Sequence, residues 1–183
     1  MAAETRARLD NELPKIKRVI TTHNDSGKAI FSSDINDELP FQELPDGARF
    51  SLAFATNTTP AKLNGDQDMR TYERYLENKP GVMIPNGTVC RIVDMMPGAL
   101  SPMHRTVSLD YGVVLEGNGE KKLLRRGDVS VQRGTNHAWQ NASKDKWARM
   151  LYVLQEAEPL VINGKPLDED YGGMPGVKPS RVH

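Results

Sequence analysis

The second half of the chain consists of short apolar runs cut at close intervals by turn formers, a spacing that suits antiparallel strands and little else. TVCRIVDMMP, YGVVLEG, KKLLRRG, DVSVQRG and WARMLYVLQEA follow one another, separated by PGALSP, NGE, RGTNHA and NASKDK. Each run is about strand length. IKRVITT, KAIFSS and FSLAFAT read the same way upstream. In WARMLYVLQ, Ala148, Met150, Tyr152 and Leu154 share one face of the alternation, and Trp147, Arg149, Leu151 and Val153 share the other. Many short strands joined by regular turns predict an all-β sandwich or barrel. No repeat of solenoid or propeller length is visible.

At 183 residues the chain can bury the core of one domain. The expected organisation is an N-terminal segment over 1–14, a β-barrel domain over 15–161 and a Gly/Pro-rich tail over 162–183. Residues 4–12 have room for a short helix before Pro14, and the tail is expected to lie over a surface or a neighbouring subunit. Residues 57–87 break the β pattern with three prolines and many Asn, Asp and Gly residues, and only MRTYERYLEN suits a short helix. A loop this long in a compact domain is usually functional, so a lid at the barrel mouth is expected. A disordered surface excursion is the equal alternative.

Lys+Arg and Asp+Glu both number 24, which argues against nucleic acid as a partner. No apolar run approaches the roughly 20 residues that span a bilayer, and the charged N-terminus has no apolar stretch behind it. Cys90 stands alone, excluding an internal disulfide and the usual cysteine zinc site. A reducing, cytoplasmic location is the default expectation.

The stretch MHRTVSLDYGVVLEGNGE carries polar residues where a core is expected. If the strand is regular, His104, Thr106, Ser108 and Asp110 share a face, while Arg105 points away. A second polar island, GDVSVQRGTNHAWQN, places His137, Trp139 and Asn141 on one parity. Two such strands side by side would gather His104, Asp110 and His137. Two imidazoles and a carboxylate form a facial triad with open positions for water and substrate. Asp110 could instead stay unliganded as a general base, its pKa raised by burial. Thr106 is a poor metal ligand and suits the orientation of a water or a substrate oxygen. Trp139, Tyr111, Tyr152 and Met150 could line an aromatic pocket, with ordinary core packing the plainer reading of each. Arg149 could bind a carboxylate or enolate, with an exposed strand face as its alternative home. His23 and His183 belong to no pattern.

These two islands resemble the two motifs of the cupin superfamily, small jelly-roll β-barrels. The first motif joins a glycine, a His-x-His pair, a glutamate and a closing glycine, and Gly98, His104, Asp110 and Gly117 match its spacing. Thr106 replaces the second histidine and Asp110 the glutamate. In the second motif Gly127, Gly134, His137 and Asn141 match, with one residue missing before the histidine and Arg133 near the proline position. The resemblance covers about residues 85–156. HRTVSLDYGVVLEG and VQRGTNHAWQN are also similar to single-domain cupins of bacteria and of fungal secondary-metabolite pathways.

The resemblance implies a small-molecule partner, often a polyketide, a divalent metal (Zn, Fe, Mn or Ni) on His104, Asp110 and His137 or no metal at all, and a homodimer. The leading expectation is a lyase that dehydrates or decarboxylates a small oxygenated metabolite through an enolate, with His104, Asp110 and His137 catalytic and Thr106, Tyr111, Trp139, Arg149 and Tyr152 binding substrate. An Fe(II) oxidoreductase and a non-catalytic binding cupin are the alternatives.

Overall fold

The computed structural model describes residues 10–116, 123–174 and 176–180. Gly117, the opening lysines of KKLLRRG and residues 4–9 of the expected N-terminal helix lie outside them, and residues 10–12 are not helical. The strands are β1 (Thr21–His23), β2 (Ala29–Phe31), β3 (Gln42–Glu43), β4 (Arg49–Ala55), β5 (Thr88–Met95), β6 (Ser108–Glu116), β7 (Val129–Arg133), β8 (Ala148–Glu156), β9 (Val161–Ile162) and β10 (Lys165–Pro166), with one α-helix, α1 (Gln67–Glu77). Six of them form one antiparallel sheet in the order β3-β4-β5-β8-β6-β7. β1 with β2, and β9 with β10, make separate hairpins.

The register sorts the side chains by face. Val93 pairs with Phe50 and Met150, Arg91 with Leu52 and Tyr152, and Leu154 with Asp110, which itself faces Gln132. All of these lie on the inner face. An opposing layer is made by single bridges, Leu100 to Gln140, His104 to His137 and Arg105 to Asp170. The result is a jelly-roll barrel whose interior lies between the sheet and this bridged layer.

β6 begins only at Ser108, so the regular strand expected from His104 onward is shorter than the alternation suggested. The chain crosses between layers over 105–107, where Thr106 and Val107 are both buried. The middle and end of residues 57–87 pack into the core. Met69 and Tyr72, one helical turn apart in α1, are buried with Met83, Ile84, Leu52, Val89 and Leu154 in one cluster. The Tyr72 phenol donates to Leu52 O at 2.7 Å and accepts from Arg18. α1 and Met83–Ile84 thus contribute to the core while residues 57–67 are mostly exposed, and only Val82 of the segment reaches the cavity inside the barrel.

The tail lies over the barrel. Arg105 and Asp170 exchange main-chain hydrogen bonds of 2.6 and 2.9 Å, and Arg105 Nε donates to Asp168 O at 2.7 Å. Beyond them Met174 is buried against the interior, and Ser180 Oγ accepts from Met83 N. Among the described residues no helix is long and apolar enough to cross a membrane.

The outer face of the sheet carries a buried ion pair. Arg149 holds Asp94 with two hydrogen bonds, Nε to Oδ1 at 2.5 Å and Nη2 to Oδ2 at 2.6 Å, and the two residues are 5% and 0% exposed. Asn11 donates to Asp94 and Arg149 donates to Pro14 O, so the N-terminal segment is pinned over this face. Removing one member leaves the other charge buried and unpaired. Asp94→Ala is therefore expected to cost about 3–5 kcal/mol in urea unfolding. The double replacement Asp94→Leu with Arg149→Met should cost clearly less than Asp94→Ala alone.

Candidate active site

The imidazoles of His104 and His137 are brought together by their own main chains. His104 N donates to His137 O at 2.8 Å and His137 N donates to His104 O at 2.9 Å, leaving the rings 4.3 Å apart at 54°. Each ring is oriented by the carbonyl two residues earlier: His104 Nδ1 bonds Pro102 O and His137 Nδ1 bonds Thr135 O, both at 2.9 Å. A carbonyl only accepts, so Nδ1 carries a proton in both rings, which in the neutral form leaves the lone pair on Nε2. Burial lowers His137 to about 4, with the Thr135 carbonyl opposing and His104 reinforcing the shift. His137 is therefore neutral near pH 7, the form that binds a metal.

Asp110 lines the same cavity and is only 4% exposed. Thr106 Oγ1 donates to Oδ2 at 3.1 Å and Ser108 Oγ donates to Oδ1 at 2.5 Å. Burial raises the carboxyl above its ordinary value, and the two hydroxyls and His104 partly offset this. Thr106 thus serves Asp110 directly. Both carboxylate oxygens are engaged on the strand that carries them, and among the described residues no group of three His, Cys, Asp or Glu is placed to hold a metal. The facial triad expected from the sequence is not assembled in this geometry. Aspartate is one methylene shorter than glutamate and is drawn to the hydroxyls beside it.

An aromatic wall continues from the histidines. His137 meets Trp139 edge to face at 6.3 Å, and Trp139 meets Tyr152 at 5.6 Å and 68°. Tyr152 donates to Met150 Sδ, and burial, with the Asp110 charge adding, pushes its phenol well above its ordinary pKa. Gly112 on β6 makes room for this ring, because a Cβ there would lie 2.8 Å from Ser130 Oγ and 3.0 Å from Tyr152 Cε1. The enclosed space is about 90 Å³, bordered by His104, His137, Asp110, Thr106, Trp139 and Tyr152 and by Met174 from the tail.

Two expected contacts fall elsewhere. Tyr111 follows Asp110 on the strand, so its side chain is on the opposite face, where it is 41% exposed. Arg149 is outward for the same reason and is committed to Asp94. Asn141 is a turn anchor, its Nδ2 donating to the carbonyls of Met95, Met96 and Lys146. Gly98, at φ +67°, donates to Ser143 O in the same corner. Sequence reasoning passed over Arg91 and Gln132, which both border the cavity. Their signal was a polar residue at inward parity in an apolar strand.

No protein-family model matches the chain. Several known proteins do resemble it along most of their lengths. Phomopsin biosynthesis cluster protein D of Diaporthe leptostromiformis is 47% identical over 173 residues, covering 91% of this chain and 89% of that protein. Oryzines biosynthesis cluster protein J of Aspergillus oryzae is 42% identical over 170 residues, covering 89% and 95%. The cupin-domain-containing oxidoreductase virC of Hypocrea virens is 41% identical over 161 residues, covering 82% and 81%. With the barrel and both histidine motifs in place, identity at this level over most of the chain means that it belongs to the cupin superfamily, among the cupins of fungal secondary-metabolite pathways.

Proposed function

We propose that the cavity is the active site of an enzyme of secondary metabolism that removes a proton beside a carbonyl of a small oxygenated metabolite, with Asp110 as the base. The observation that carries this reading is a nearly fully buried carboxyl of raised pKa in the same cavity as two histidines held in the metal-binding tautomer. A general base works best when its pKa is moved toward the working pH.

His104 and His137 fit a divalent metal as two ligands, and Asp110 is better suited to proton transfer because burial raises its pKa. When bound, such an ion would polarise the substrate carbonyl as a Lewis acid. The chain's own residues do the rest. Asp110 takes the proton from the carbon, and that C–H electron pair moves onto the carbonyl oxygen. Trp139 and Tyr152 hold an apolar or aromatic substrate body and exclude water. In a dehydration, the returning pair expels a β-hydroxyl, which leaves as water with the proton that Asp110 carried.

A second reading is an oxidoreductase, favoured by the name of the virC relative. The same proton abstraction would activate a substrate for oxidation, so the two readings share Asp110 and differ in where the electron pair goes next. A homodimer belongs to either reading. Tyr111 and Val131 pair across β6 and β7 and are exposed on the outer face beside Val129, an apolar edge that a second copy would cover.

The test tracks solvent deuterium into the carbon beside the carbonyl of candidate pathway intermediates by NMR. Asp110→Asn is expected to slow exchange by about 100-fold or more, with binding changed far less. Exchange at the wild-type rate would remove Asp110 as the base. His137→Ala should lower both metal content, measured on protein purified without added metal, and turnover.

The acid limb of the pH–rate profile should lie above the ordinary carboxylate range, because Asp110 works ionised and burial raises its pKa. Stability gives a separate check. Folding lowers the His137 pKa from 6.5 to about 4, so between these values the unfolded chain binds more protons and stability falls as pH falls. Asp110 is shifted upward and contributes the opposite slope just above the carboxylate range. His137→Gln should therefore lose less stability than the wild type between pH 6.5 and pH 4 in urea unfolding.

A further inference from the structure

Arg91 lies on the inner face of β5, opposite Tyr152 across the β5–β8 ladder, and is 9% exposed. Its Nη2 donates to Gly81 O at 3.0 Å, and its guanidinium stands 5.5 Å over the Phe50 ring. Its buried Nε has no hydrogen-bond partner among the described residues. No carboxylate pairs with it among the described residues either, in contrast to Arg149 on the opposite face of the same sheet. Burial lowers Arg91 to about 10, Tyr171 offsetting a little, so it stays cationic at neutral pH. A buried cation without a counter-charge costs stability unless a bound group compensates it.

Its position says what that group would be. Arg91 borders the 90 Å³ cavity and also a second hollow of about 300 Å³ on the α1 side, which shares Phe50 and Val82 with the cavity. Asp110 is two strands away, across β8, roughly 10 Å along the sheet by the usual strand spacing. Trp139 and Tyr152 border the same cavity. An anion on Arg91 would thus sit apart from the reacting end at Asp110 and the histidines.

We infer that Arg91 is the anion-recognition residue of this site, selecting substrates that carry a carboxylate at the end remote from the Asp110–histidine cluster. This deepens the proposed function by naming the substrate class, a carboxylate-bearing aromatic or apolar metabolite, and it rests on that cavity being the active site. A guanidinium suits this task because its donors match a carboxylate in a fixed plane.

The test uses two probes of one shape and different charge, 3-phenylpropanoate and 3-phenylpropanamide, titrated into metal-free full-length protein by ligand-observed NMR. The acid should bind at least about tenfold more tightly than the amide, the effect of one charge-assisted contact. Arg91→Met should bring the two affinities within about twofold, and Arg91→Lys should keep part of the preference. Without ligand, Arg91→Met should melt no lower than the wild type, because it removes an uncompensated charge. Equal affinities in the wild type, no binding of the acid, or a preference that survives Arg91→Met would overturn the inference. A marked fall in the melting temperature of Arg91→Met would also overturn it, marking Arg91 as a strut for the Gly81 carbonyl. The readout needs no turnover and no metal, so failure of the proposed chemistry leaves it unchanged. Failure here, in turn, leaves the Asp110 exchange test standing.

Discussion

The reciprocal main-chain bond between His104 and His137 closes the layer opposite the sheet and, in the same step, sets two imidazoles side by side. Most of the cavity's other features depend on it. The bridge fixes where the chain re-enters the sheet at Ser108, which places Asp110 inward and within reach of two hydroxyls from its own segment. It also fixes the start of the turn that ends at Asn141, whose amide gathers three carbonyls and holds Trp139 against the aromatic wall. The polar cluster tolerates burial because nearly every member has a hydrogen-bond partner close to it in sequence.

The two faces of the sheet handle arginine in opposite ways. On the outside, Arg149 and Asp94 satisfy each other and fasten the N-terminal segment, so that pair is structural. On the inside, Arg91 has carbonyl and ring contacts but no counter-charge among the described residues. A protein that can bury one arginine with a well-placed partner, and leaves another without one in its cavity, gives up stability at the place where we infer that a ligand binds.

The sequence made the barrel legible because strand length, turn composition and both motif islands agree with one another. The parity of Ser108 and Asp110, and the inward set on β8, could be read from alternation alone. The absolute sense of a face could not. Arg91 and Arg149 are each one polar residue in an apolar strand, and only the register shows that one points inward and the other outward. His104 reaches the cavity by a different route from the one its parity suggested, since the chain changes layer between it and β6. The helix itself was legible in MRTYERYLEN, whereas the prolines and glycines around it obscured that its Met69 and Tyr72 stripe packs into the core. Asp110 shows the limit most clearly: spacing puts it at a ligand position, but side-chain length and two neighbouring hydroxyls decide what it touches.

Each imidazole takes its orientation from a carbonyl two residues upstream on its own loop, at the same distance in both cases. The two loops therefore act as self-contained cassettes whose aim owes nothing to the identity of the surrounding side chains. Lining residues such as Arg91, Gln132 and Trp139 can then drift, and pocket chemistry with them, while the histidine pair keeps its bearing. In such a barrel the lining can change while the backbone holds the two imidazoles in the same place.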